Sequence, residues 1–240
     1  KNRNKQNKNS LRGNKVKKGK RLYINITNKC NVECPFCCMY SKPSNNRFMA
    51  FDTFKRIVDE TEENFELQLE GGEPLLHKNL FLFLEYAVST NRCTKIILLT
   101  NGILLEEHIN RLIDFSSWNQ ILLEIKVSIN YFLIEKNENH IKKMADLAFA
   151  TKYIPSIDMV FNVRKRNEKD EDIETELKHY GILEQSNVFY LQSYGKLKDS
   201  EEYEKPIIVQ NIEDWSLYAS DGKCFGQDLV ARSEYEHIEI

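Results

Sequence analysis

RLYINITNKCNVECPFCC, residues 21–38, joins an alternating β-forming run to a loop that holds four of the chain's six cysteines. In the run, Leu22, Ile24 and Ile26 alternate with Tyr23, Asn25 and Thr27, the period of a strand with two different faces. In the loop, three thiols follow the spacing Cys30-x3-Cys34-x2-Cys37, with Cys38 next in line. Four cysteines within nine residues are too crowded for four separate disulfides. Metal binding or thiol chemistry is the better reading. Structural zinc wants a fourth Cys or His; Cys38 cannot easily share a small ion with its neighbour Cys37, and no His lies near. Three protein ligands leave one coordination position open, and a thiolate-rich set suits iron–sulfur clusters.

Outward from that loop, strand-like and helix-like patterns alternate. FDTFKRIVDETEE (51–63) has helical spacing, with Asp52 as a candidate cap, and FELQLEGG (65–72) reads as a strand that ends in glycines. A helix over 80–89, a buried strand over 94–102 and a helix over 104–115 follow. The fourth strand is expected over 121–130, the fourth helix over 138–151, and the fifth strand over 156–164. A helix over 171–181, stopped by Gly181, leads to a sixth strand over 187–193. Six βα units in order predict an α/β fold, an open partial (β/α)6 barrel of parallel strands. A flat doubly wound sheet is the alternative. Residues 196–216 are polar and irregular, and WSLYASDGKCFG and HIEI beyond them read as short strands and turns. Three segments are therefore expected: an arm over 1–20, the barrel over 21–200, and a small extension over 201–240.

The net charge of −2 hides an asymmetry, because residues 1–21 carry ten Lys or Arg and no acid. A basic arm on an acidic body reads first as a solvated lead-in. The acidic body opposes docking of a long polyanion, and no basic–aromatic interleaving offers a nucleic-acid platform. No apolar run approaches the roughly 18 residues that span a bilayer, and residues 1–21 are not a signal-peptide pattern. A cytoplasmic location without membrane contact is expected.

Cys30-x3-Cys34-x2-Cys37, with the aromatic Phe36 just before its third cysteine, resembles the signature of the radical S-adenosylmethionine (SAM) enzymes. The resemblance covers about residues 21–195. It implies that Cys30, Cys34 and Cys37 ligate a [4Fe-4S] cluster and that SAM chelates the open iron. Reductive cleavage of SAM then yields a 5′-deoxyadenosyl radical that abstracts a substrate hydrogen. Other stretches fit at strand ends, where barrels gather their chemistry. GGEP (Gly71, Gly72, Glu73, Pro74) resembles the family's contact to the methionyl ammonium of SAM, with Glu73 supplying charge. TNG places Asn101, VSIN places Ser128 and Asn130, and FNVR places Asn162 and Arg164. The polar pair Ser128 and Asn130 resembles the family's contacts near the ribose and carboxylate, although an acid often stands at the second place. Arg164 is placed to pair with a carboxylate, and in LQSYGK Gln192 is placed to reach the adenine while Gly195 permits close backbone approach.

GKCFG around Cys224 resembles the start of the auxiliary-cluster extension (SPASM or twitch type) of peptide-modifying members. Cys224 is thus a candidate ligand of a second iron–sulfur cluster, a catalytic hydrogen donor, or a structural cysteine. The resemblance implies an oxidoreductase that modifies a ribosomally made peptide or protein, supplied by an electron donor such as flavodoxin or ferredoxin. Two alternatives remain: an activase that installs a glycyl radical on a partner enzyme, and a non-enzymatic cluster-binding partner.

Overall fold

The computed structural model describes residues 20–206 and 214–238. Two compact units divide the described residues, one of residues 20–99, 191–206 and 214–238, the other of residues 100–190. Apart from Lys20, the basic arm lies outside the described residues.

In the first unit, β1 (Lys20–Thr27), α1 (Phe51–Asp59), β2 (Phe65–Gly71), α2 (Leu80–Ser89) and β3 (Cys93–Thr100) alternate as expected; β7 (Trp215–Tyr218) and α7 (Leu229–Ile238) return from the far end of the chain. Strand order is β3-β2-β1-β7, and every pairing is parallel. Leu22, Ile24 and Ile26 take one face of β1 and are fully buried, with Leu67 and Leu69 of β2 in the same core. Phe54, Ile57 and Val58 form the buried stripe of α1, and Phe54 stacks on Phe83 of α2 with centroids 4.4 Å apart. The opposite face of the sheet is polar. Tyr23 and Asn25 alternate there with the apolar residues of β1, and Glu66, Gln68 and Glu70 do so on β2. Arg21 donates to Glu66 from Nε at 2.7 Å on that face.

In the second unit, α3 (Leu105–Trp118), β4 (Leu123–Asn130), α4 (Tyr131–Lys136), α5 (His140–Thr151), β5 (Ile157–Lys165), α6 (Glu171–His179) and β6 (Ser186–Tyr190) follow one another. Strand order is β6-β5-β4, again parallel, with Asn130 opposite Arg164 and Ser128 opposite Asn162. Ile157, Met159, Phe161 and Val163 alternate as the buried face of β5.

The α/β class and all six expected strands are present. Three local readings change. The sixth strand stops at Tyr190, short of Ser193. The strand expected in HIEI is instead the end of helix α7 for His237 and Ile238; Ile240 lies outside the described residues. Its buried residues Arg232, Ser233 and Glu236 recur at helical spacing and are all polar, a periodicity that hydrophobic patterning does not register. The unanticipated α4 begins at Asn130, whose Oδ1 accepts from the Leu133 amide at 2.9 Å as an N-cap. No helix among the described residues is long and apolar enough to cross a membrane.

Candidate active site

β1 ends in a loop that backbone and side-chain hydrogen bonds hold at many points. Asn28 donates its amide to Arg47 O, Cys30 to Lys42 O and Met49 to Ile26 O, at 3.3, 3.3 and 2.8 Å. Asn45 Nδ2 bridges the carbonyls of Asn28 and Tyr40, each at 3.2 Å. The Cys37 amide donates to Cys34 O at 3.2 Å, closing the turn that carries the last two cysteines of the triple.

Two other segments complete the wall. Gly72 donates to Thr27 O at 2.7 Å and Glu73 to Lys29 O at 2.8 Å, so the end of β2 is laced onto the start of the cysteine loop. A Cβ at Gly72 would collide with the Lys29 carbonyl. The fully buried Glu73 turns its carboxylate onto the Leu75 amide at 3.1 Å, capping the short 3-10 turn that Pro74 starts. From the other side, Lys196 donates its amide to Cys37 O at 3.2 Å, and Tyr40 Oη donates to Gly195 O at 2.8 Å. Gly195, at φ +63°, lies flat on the backbone of Cys38, where a side chain would not fit. Beside this wall a cavity of about 370 Å³ is lined by Glu33, Tyr40, Lys42, Lys196 and His237.

Burial pushes the Cys34 thiol up to about 12, with Cys37 and Cys30 adding to the shift and Lys196 opposing it. Burial also raises Cys37, against the amides of Ser41 and Met39, and it raises Cys38 to about 11. The raised thiols of Cys34 and Cys37 are therefore protonated near neutral pH, so ligation by them must release protons. Among the described residues no three His, Cys, Asp or Glu side chains close on a single ion. A four-iron cluster puts each cysteine on a different iron, so its sulfurs need not share one ion, and this thiol set fits it.

The second unit carries its own row of candidates. Ser128 and Asn130 on β4 stand beside Asn162 and Arg164 on β5. Asn130 is engaged as a helix cap, and Asn101 Oδ1 accepts from the Ile103 amide at 3.0 Å in a turn. Arg164 stacks over Phe189, its guanidinium carbon 4.4 Å from the ring centroid. Gln192 is exposed, and Phe36 is half-buried in the cysteine loop. Cys224 is exposed in a hairpin that pairs it with Tyr218, a residue level with Ile24 in the middle of β1. That hairpin rests on α1, where Gly222 faces Thr53, Arg56 and Ile57.

Gly195 of LQSYGK, expected to permit close backbone approach, does so, whereas Tyr40, Lys196, Arg232 and Ser233 are wall residues that sequence patterns did not single out. Their partners are distant in the chain, and none stands in a spacing that signals function.

Residues 24–126 match the model of the Radical SAM superfamily. A curated relative, a probable GTP 3′,8-cyclase of Methanocaldococcus jannaschii, is 32% identical over 154 residues, 60% of this chain and 51% of the relative. A GTP 3′,8-cyclase of Desulforamulus reducens is 29% identical over 91 residues, 36% of this chain and 28% of the relative. The chain therefore spans about half the length of the first of these, or less for the second. Among solved structures, native anSMEcpe with bound AdoMet matches at a TM-score of 0.54 and 15% identity, covering 80% of this chain and 55% of the other. The same protein with AdoMet and Cp18Cys peptide matches at 0.52. At such identity the likeness is one of fold.

Proposed function

We propose, from the match of residues 24–126 to the Radical SAM superfamily model, that this chain is an enzyme holding a [4Fe-4S] cluster through Cys30, Cys34 and Cys37 and acting on a peptide or protein substrate. When bound, the cluster and SAM supply reductive cleavage of the sulfonium and abstraction of a substrate hydrogen atom. The chain's own residues bind, orient and exclude water. The observation that carries the reading is the lacing of the cysteine loop to Gly72, Glu73 and Lys196 by three backbone hydrogen bonds, whose acceptors are Thr27 O, Lys29 O and Cys37 O. That lacing fixes three thiols on a rigid frame, as ligation requires. Glu73 offers a buried negative charge beside the loop, suited to a ligand ammonium.

A peptide substrate is supported by the polar sheet face of the first unit. Among the described residues, Glu66, Glu70 and Glu236 outnumber the two arginines, Arg21 and Arg232, that pair with Glu66 and Glu70 there. Such a wall has no surplus cation for a triphosphate. The peptide-bound anSMEcpe structure shares the fold. A nucleotide substrate is the second reading, favoured by the relatives named GTP 3′,8-cyclase. Cys224, exposed on its hairpin, adds nothing to the peptide reading. An acidic flavodoxin or ferredoxin as electron donor suits Lys42 and Lys196 beside the loop.

The test is anaerobic reconstitution followed by iron and sulfide counting and assay of 5′-deoxyadenosine under dithionite. About four irons per chain with slow deoxyadenosine release are expected. A fully loaded protein that releases none would return the chain to the cluster-binding partner class. Consumption of GTP with stoichiometric deoxyadenosine would replace the peptide reading.

A further inference from the structure

Helix α7 lies against the polar face of β1 and β2 with a buried side that contains no apolar residue. Its buried residues are Arg232, Ser233 and Glu236. Glu236 accepts from Asn25 Nδ2 at 2.6 Å and from the Ser220 amide at 2.8 Å, and so is satisfied. Ser233 Oγ donates to Cys38 O. Arg232 is different. Its Nη2 meets Glu70 Oε1 at 2.7 Å, yet Nε and Nη1 are buried with no hydrogen-bond partner. The Arg232 side chain is only 8% exposed.

Next to it, Gln68 Nε2 donates to Glu70 Oε2 at 2.6 Å, which fixes the orientation of the amide and leaves Gln68 Oε1 buried without a donor. Arg232 and Gln68 therefore flank one carboxylate and each keeps unused hydrogen-bonding capacity, donors on one side and an acceptor on the other. Arg232 also stands next to the cysteine loop, since the adjoining Ser233 is bonded to Cys38 O. Burying polar groups without partners is costly, so three in one place call for an occupant.

We propose that Arg232 and Gln68 form a receptor for an α-amino carboxylate, with the guanidinium taking the carboxylate and the Gln68 oxygen taking the adjacent ammonium or amide N–H. Glu70 already balances the Arg232 charge, so the site is neutral as a whole and favours a zwitterionic end over a phosphate dianion. A zwitterionic or peptide-like end supplies the required acceptor and donor side by side. Two sources share this chemistry, the methionyl end of SAM and an amino-acid end of the substrate. The inference rests on the proposed function for the identity of those sources, and on geometry alone for the receptor.

The experiment is titration calorimetry on the cluster-loaded protein with S-adenosylhomocysteine, with the dipeptide Ala-Ala, and with inorganic phosphate. For at least one of the first two, Arg232→Gln should weaken binding tenfold or more, with partial recovery in Arg232→Lys. Dependence of S-adenosylhomocysteine alone assigns the receptor to the cofactor; dependence of the dipeptide assigns it to substrate. Because Arg232→Gln leaves Glu70 buried and can unfold the chain, the amidated forms of both ligands are titrated against the wild type, where the same tenfold loss is expected. Amidation that costs less than threefold, no binding of either ligand to the wild type, or Arg232-dependent binding of phosphate in their place would each overturn the proposal, leaving a buried water as the occupant. Iron counted in the same samples keeps the outcomes apart, since a protein without a cluster sinks the proposed function.

Discussion

The amide of Gly72 donates to the carbonyl of Thr27 at 2.7 Å, and through that contact the end of β2 fixes where the cysteine loop leaves β1. Any side chain at residue 72 must push into Lys29 and Asn28. Gly72→Ala should destabilise the protein by about 1–3 kcal/mol and lower iron uptake in the same proportion of molecules. Urea unfolding and iron counting would check it. A Gly72→Ala protein with wild-type stability and full iron would show that the loop is not set by this contact.

The three thiols divide from the fourth. Cys30→Ala, Cys34→Ala or Cys37→Ala should each abolish the iron–sulfur absorbance after reconstitution, while Cys38→Ala should retain it. Cys38 is expected to serve as a small buried group whose carbonyl, not its thiol, holds Ser233. Loss of the cluster in Cys38→Ala alone would reassign the ligands.

Glu73 has two tasks that one substitution separates. Its carboxylate caps the Leu75 amide, and its charge is offered to a ligand. Glu73→Gln keeps an acceptor for Leu75 and should leave the unfolding midpoint within experimental error. It should weaken SAM binding about tenfold, the loss of one charge-assisted hydrogen bond. Glu73→Ala should also lose roughly 1 kcal/mol of stability through the missing cap. Equal SAM affinity in wild type and Glu73→Gln would remove the residue from the binding site.

Acid should weaken the fold through His77. Its Nε2 meets Met49 O and its Nδ1 accepts from the Asn79 amide, both at 3.1 Å, an arrangement for the neutral ring. Burial, with nearby Lys78, holds its pKa below the ordinary 6.5. The unfolded chain binds the proton more readily, so the stability contributed above pH 6.5 is lost as the pH falls below it, by at most about 1.4 kcal/mol per pH unit. His140, also lowered by burial, adds a second term of the same sign. Unfolding midpoints between pH 7 and 5.5 should fall, and His77→Gln should flatten the slope. An unchanged slope in that variant would place the acid sensitivity elsewhere.

Much of the frame was legible because β1 to β5 carry alternating or continuous apolar runs between turn residues. Leu22, Ile24 and Ile26, or Ile157, Met159, Phe161 and Val163, announce both strand and face. The cysteine spacing and GGEP were legible because their chemistry demands fixed residue types at short range. The remainder depends on distant partners. Gly195 was visible as a glycine, but that it lies against Cys38 follows only from folding. Helix α7 escaped notice because its buried side is Arg232, Ser233 and Glu236, whose value comes from Glu70, Asn25 and the Cys38 carbonyl rather than from apolar area. Cys224 drew attention through its local pattern, while its setting, a hairpin on Tyr218, is set by the pairing of β7 with β1.

The bond from Tyr40 to Gly195 spans 155 residues of sequence. On a ribosome that adds roughly 5–20 residues per second, the cysteine loop therefore emerges many seconds before its last wall exists. During that interval the thiols hang on a half-built support, open to oxidants and to stray metal. Long-range closure is also the slow part of folding, since loop entropy must be met before the contact rewards it. Iron delivery is thus expected to be a late, post-translational event, and nascent chains halted before residue 195 should take up iron poorly even with all their cysteines in place.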